Sequence, residues 1–175
     1  MPVAAKDQFM EARKLSNQSR PFQLSLRIRH PSIDPALLSR ELAIDPEHSF
    51  RAGEPRHSSS GHAPSTVHAQ TYWLGIMNPA MWLDISYPGP PKLAIAQRHL
   101  HAALEQRLGW ALSSTAMLLR TKHAPLLRRI SAEGGHVTVI VALSAVAVGS
   151  WSLTPEVTGA FSDLGITIEF EFTND

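Results

Sequence analysis

Residues 22–42 read FQLSLRIRHPSIDPALLSREL. Phe22, Leu24, Leu26 and Ile28 fall on one side of an extended chain, and Gln23, Ser25, Arg27 and Arg29 on the other. That alternation predicts a strand with one buried face. Asp34 followed by Pro35 is an N-cap and first-turn pair, so a short helix through Leu37, Leu38 and Leu42 is expected behind it. The same grammar returns near the other end. From Ser152 the chain reads SLTPEVTGAFSDLGI, matching SIDPALLSRELAI (32–44) in its Ser-apolar-cap-Pro opening and its Leu-small-Ile close. Ile166, Ile168, Phe170 and Phe172 then alternate with Thr167, Glu169 and Glu171, which is a second half-buried strand.

Between these units lie further elements. Residues 45–70 contain RAGEPR and HSSSGHAPSTVHAQ and read as a long loop. Thr71–Met77 reads as a strand around Trp73. Residues 81–87 alternate again and suit either a hairpin with that strand or an exposed loop, closed by PGPP at 88–91. Leu93–Leu108 has a helical apolar face and Gly109 as its expected C-cap; a second helix is expected from Ser113 or Ser114, with Pro125 either kinking it or beginning another turn and Gly134-Gly135 ending it. His136–Val148 is rich in β-branched residues and nearly continuously apolar, as in a central strand covered on both faces.

The expected architecture is α+β: a two-layer sandwich, a ferredoxin-like variant built as β-α-β, helical pair, β-α-β, with a mainly antiparallel sheet. A length of 175 residues suits one domain over 21–175, with loop insertions near 57–70 and 78–91. Residues 1–20 read as a tail or a frayed helix. That segment has no continuous apolar core, and the longest apolar stretch, Val137–Val148, falls short of a spanning helix. A cytoplasmic protein without membrane contact is therefore expected.

The formal charge of +1 conceals a split. Residues 92–129 hold seven basic residues (Lys92, Arg98, Arg107, Arg120, Lys122, Arg128, Arg129) against Glu105 alone. Residues 130–175 hold six acidic residues and no Lys or Arg. In the expected strand order the first and last strands are neighbours, which would pair Arg27 and Arg29 with Glu169 and Glu171. The basic stretch lacks an aromatic RNA-binding signature or a helix-turn-helix pattern, so nucleic acid is set aside in favour of a solvated surface or a docking face for an acidic partner.

Chemistry-bearing patterns are sparse. No cysteine is present, which excludes disulfides, thiolate metal sites and a cysteine nucleophile. There is no G-x-S-x-G, H-E-x-x-H, G-x-x-x-x-G-K-[ST] or G-x-G-x-x-G. His57, His62 and His68 share a loop without a carboxylate among them, and His101 with Glu105 is a surface helix pair before it is a dyad. No metal, cofactor or catalytic residue is assigned. The best candidate site is Arg51-Ala-Gly-Glu-Pro-Arg56, where Gly53 permits a tight turn, Arg51 and Arg56 offer two forks to an anion, and Glu54 orients one of them. A turn closed by a local salt bridge is the competing reading. Trp73 is read as a core aromatic before a pocket wall, and Trp82 and Tyr87 as exposed aromatics suited to a partner or as part of the hairpin.

LSLRIRHPSIDP, the Arg51-x-Gly53-Glu54 step, the Trp73 strand, the helical stretch and WSLTPEVTGAFSDLGITIEFEF together resemble the bacterial family called domain of unknown function 4279, over roughly residues 22–172. The resemblance implies an intracellular α+β module. The family has no assigned activity, so it implies no catalytic residues. The functional expectation is a non-catalytic module that binds another protein, immunity-like or regulatory. The alternative is a small-ligand-binding protein or enzyme with its site around Arg51, Glu54 and Trp73.

Overall fold

A computed structural model of the chain describes residues 22–56, 66–77, 97–144 and 152–173, with side chains from 105 onward in the third span. The expectations for residues 1–20, 57–65, 78–96 and 145–151 lie outside the described residues.

The first unit follows its sequence pattern. β1 is Phe22–His30 and α1 is Pro35–Leu42. The Asp34 carboxylate accepts the Ala36 N–H at 2.9 Å, as the cap reading required. The helix ends on Ala43, held at φ 54°. Two further strands follow, β2 (Pro46–Phe50) and β3 (Thr71–Met77). β2 corrects the expected long loop over 45–70. Its sequence, PEHSF, has a largely exposed edge position and so shows no apolar alternation.

The helical pair is also corrected. α2 runs unbroken over Gln97–Leu118, straight through Gly109, which does not cap a helix. Leu108, Leu112 and Ala116 pack on the core on both sides of that glycine, and this packing outweighs its low helix propensity. Leu119–His123 is a π-helical segment, and α3, Ala124–Ala132, continues from it with Pro125 in its first turn. Gly134 at φ 81° then turns the chain into β4, His136–Ser144. α4 (Pro155–Ser162) and β5 (Ile166–Thr173) complete the fold.

The five strands form one mixed sheet in the order β2-β3-β1-β4-β5. β1–β3, β1–β4 and β2–β3 are antiparallel, and β4–β5 is parallel. The first and last strands are therefore not neighbours, contrary to expectation: β4 lies between them. Arg27 nevertheless forms an ion pair with Glu169, reaching across β4, where Thr138 stands opposite Arg27 and Ile140 opposite Glu169. Among the described residues the second proposed pair, Arg29 with Glu171, is not made.

Register fixes the core. Ile28 stands between Trp73 and Val137, Leu26 between Gly75 and Val139, and Leu24 between Met77 and Val141. Leu38, Leu112, Leu127, Ile130, Val157 and Phe161 cover that face from the helices. Val137–Val141 are buried in succession, as expected for a strand covered on both faces. Ile140 belongs to the opposite face and is buried apart from the main cluster, beside buried Ser25 and Thr138.

At the end of β1, His30 is almost wholly buried. Its Nδ1 accepts the backbone N–H groups of Ser32 (3.0 Å) and Ile33 (2.8 Å), so that nitrogen carries no proton. Its Nε2 lies 3.1 Å from a Glu133 carboxylate oxygen but off the line that a hydrogen bond needs.

Candidate functional site

The Arg51–Arg56 step is a closed turn at the end of β2. The Glu54 N–H donates to the Arg51 carbonyl at 3.2 Å, while the Glu54 carboxylate accepts the Arg51 N–H at 2.8 Å. Gly53 sits at φ 82°, a conformation that favours glycine. Behind the turn a small ladder forms. Gly53 donates to the His68 carbonyl, His68 to that of Glu54, and Arg56 to that of Thr66. The Ala52 N–H is satisfied by the buried Thr71 hydroxyl. His68 is thereby stacked on Phe50 at 3.6 Å, and Phe50 in turn on Tyr72 at 5.1 Å.

The turn borders a cleft of about 660 Å³ between α1 and β2, where Asp34, Arg40, Asp45, Phe50, Arg51 and Glu54 are among the lining residues. Arg51 pairs with Asp34 across it. That bond, followed by the Ala36 N–H, holds the Asp34 carboxyl below the usual aspartate range. The sequence reading assigned Glu54 to orient an arginine side chain; the structure gives that work to Asp34, while Glu54 caps the turn backbone. Three carboxylates and two guanidiniums line the cleft, so it is not an anion hole. Asp34 and Arg51 engage each other, Arg40 faces Glu41 at 3.7 Å, and Glu54 accepts a backbone N–H, so the cleft suits a polar ligand that exchanges hydrogen bonds with these groups.

The candidate residues are brought together only in part. Arg51 and Glu54 line the cleft. Gly53 shapes the turn. Arg56 is exposed on the ladder and does not line the cleft. Trp73 is fully buried in the core, and its indole N–H donates to the Ser39 hydroxyl at 3.0 Å. Ser39 lines the cleft, so Trp73 stands one hydroxyl behind it. Trp82 and Tyr87 lie outside the described residues. Asp34, Asp45 and Phe50 were not singled out as site residues. Asp34 was legible only as a helix cap, because the chain fold alone brings it to Arg51.

The helical layer carries a second feature. Arg120, Lys122 and Arg128 are exposed, and none has an ion-pair partner among the described residues; Arg129 faces Glu133 at 3.8 Å. Between α2 and α4 runs a groove of about 220 Å³ lined by Ala116, Met117, Arg120, Glu156, Val157 and Ala160 among others. Met117 is 54% exposed there. The Glu156 carboxyl is held low by its own backbone N–H and the Thr154 hydroxyl. Lower on the same run, burial and then Lys122 push the His123 imidazole down.

Among the described residues no three His, Asp or Glu side chains are grouped to hold a metal ion, and no helix is long and apolar enough to cross a membrane. No family model, curated protein or solved structure matches the chain.

Proposed function

We propose that the chain is a non-catalytic, cytoplasmic module of the domain-of-unknown-function-4279 kind that binds another protein, in an immunity-like or regulatory role. The observation that carries this reading is the helical layer: Arg120 lines an apolar groove at which Met117 stands in solvent, Lys122 and Arg128 are exposed on the same helical run, and none of the three has an ion-pair partner among the described residues. A cationic surface next to an apolar anchor point is the pattern of a steered docking face, and here Glu156 lines the groove opposite Arg120. The partner surface it suits is acidic. The order β2-β3-β1-β4 supports a ferredoxin-like ancestry for the sheet, with β5 added in parallel at its edge.

The test is capture from native extract with the wild-type chain and with the Arg120→Glu/Arg128→Glu double variant. A specific protein retained at low salt by the wild type and lost by the variant is the expected outcome. Retention of nothing specific at near-native expression sinks the reading.

The cleft favours a second reading, a small-ligand or enzymatic site, because Arg51 and Glu54 meet there. Under that reading a panel of polar metabolites contains one that raises the melting temperature of the wild type and not of Arg51→Ala. A panel that shifts both equally excludes it.

A further inference from the structure

The two edges of the sheet are protected very differently. β2 is five residues long, opens on Pro46, which has no N–H, and shifts register between Pro46 and His48. These are the usual devices that keep an edge from pairing with another chain. β5 has none of them. It is eight residues long, contains neither proline nor glycine, and pairs with β4 residue for residue from Ile166 to Thr173. With β4 on one side and no strand on the other among the described residues, its outward N–H and C=O groups form a template for one more strand. Phe172 adds an anchor. It lies in register with fully buried Leu143, yet is itself 68% exposed.

We propose that the outer edge of β5 accepts an extended strand of a protein partner, one that alternates apolar residues with lysine or arginine. Strand addition of this kind takes affinity from the backbone ladder and specificity from alternate side chains. On one face an incoming apolar residue would lie beside Phe172 and Phe170. On the other it meets Glu169 and Glu171. Glu169 is already tied to Arg27, whereas Glu171 is exposed and has no cationic partner among the described residues. A basic side chain next to Glu171 supplies one.

The same glutamates argue against a second copy of this chain. In antiparallel self-pairing, each register that joins five or more β5 residues sets glutamates opposite or diagonal to glutamates, which is unfavourable. Parallel self-pairing through this edge turns one copy's faces over and sets the glutamates against Ile168 and the phenylalanines, where no basic side chain meets them. This proposal rests on the reading of the chain as a protein-binding module but not on the helical face.

The test uses the full chain and capped peptides of the length of β5 that alternate valine with lysine, followed by fluorescence anisotropy and by amide exchange of β5. The expected result is binding that protects β5 amides and weakens by about tenfold or more in Glu171→Lys, as loss of a cross-strand charge pair combined with repulsion requires. Phe172→Ala weakens it as well, and Arg120→Glu/Arg128→Glu leaves it unchanged. A valine–glutamate peptide does not bind, nor does the lysine peptide with alternate amides N-methylated, which keeps its charge and loses its ladder. Equal binding of the N-methylated peptide, indifference to Glu171→Lys, no binding, or self-association of the chain by sedimentation each overturns the proposal. Failure here alongside successful capture through the helical face removes the edge and leaves the protein-binding reading in place. Failed capture with successful peptide binding does the reverse.

Discussion

The two β-α-β units begin with nearly the same words and finish in different places. α1 and α4 each span eight residues and each open on a proline behind a capping residue type. Yet β2 returns two places away from β1, beyond β3, whereas β5 lies directly beside β4. The difference follows from which edges are free. β1 is flanked on both sides, by β3 and β4, so its own unit must close outside β3. β4 has β1 on one side, and its own unit closes directly on the other with β5. A local pattern therefore specifies a helix and its start, while the landing place of the next strand is decided by what the rest of the sheet already occupies.

The sharpest test of this contrast is the anchoring of each helix. Trp73 under α1 and Phe161 on α4 are both fully buried. Trp73→Ala and Phe161→Ala are each expected to cost about 3–5 kcal/mol in chemical denaturation. A cost near zero for either would mean that its unit does not depend on that anchor.

The C-terminal turns predict effects of opposite sign. Both units turn through the left-handed region, at Ala43 (φ 54°) and at Gly165 (φ 67°). Gly165→Ala is expected to destabilise by about 1–2 kcal/mol, and Ala43→Gly to stabilise by about 0.5–1 kcal/mol, since only the alanine carries a Cβ penalty. Thermal melts of the two variants check the signs; equal signs would break the comparison.

The N-terminal caps give smaller effects. The Asp34 side chain caps its helix, whereas Thr154 makes no cap bond and turns its hydroxyl to Glu156. Asp34→Ala should lower the melting temperature, and Thr154→Ala should lower it less. Acid adds a related difference. Asp34 titrates lower in the folded chain than in the unfolded one, so its contribution is complete above the unfolded value and lost as pH falls through the folded value. Denaturation midpoints measured from neutral pH into acid should fall less steeply for Asp34→Asn than for the wild type.

The parts legible in the sequence were those whose period or cap is local. β1, α1, the Trp73 strand, α4 and β5 all announced themselves by alternation or by an Asp-Pro or Thr-Pro start. β2 did not, because its side chains are mostly in solvent and an edge strand needs only its backbone to pair. Gly109 misled because nothing near it requires a stop: a Cβ placed there meets no atom within 4 Å, and the leucines around it hold the helix. The Arg27–Glu169 pair was legible as complementary charge but not as geometry, since it spans a strand that the expected order had put elsewhere. At the cleft, the Arg51–Glu54 turn could be read from adjacent residues. Its partner Asp34 and its wall Phe50 could not, because their meeting depends on β2.

The π-helical segment Leu119–His123 has a consequence for the chain as a reading frame. A π turn takes up about one residue more than an α turn, a phase shift of roughly 100° in where later side chains point. The shift brings Ala124 and Leu127 round toward the face of Leu119, and both are buried. The segment thus behaves as a single-residue insertion whose error is cancelled within five residues. Removing one residue there would straighten the helix into an uninterrupted α-helical run and swing α3 out of phase with the sheet. Tolerance to deletion is therefore expected to be lower within this stretch than at the exposed turn around Gly134, although the helix itself would be more regular for the loss.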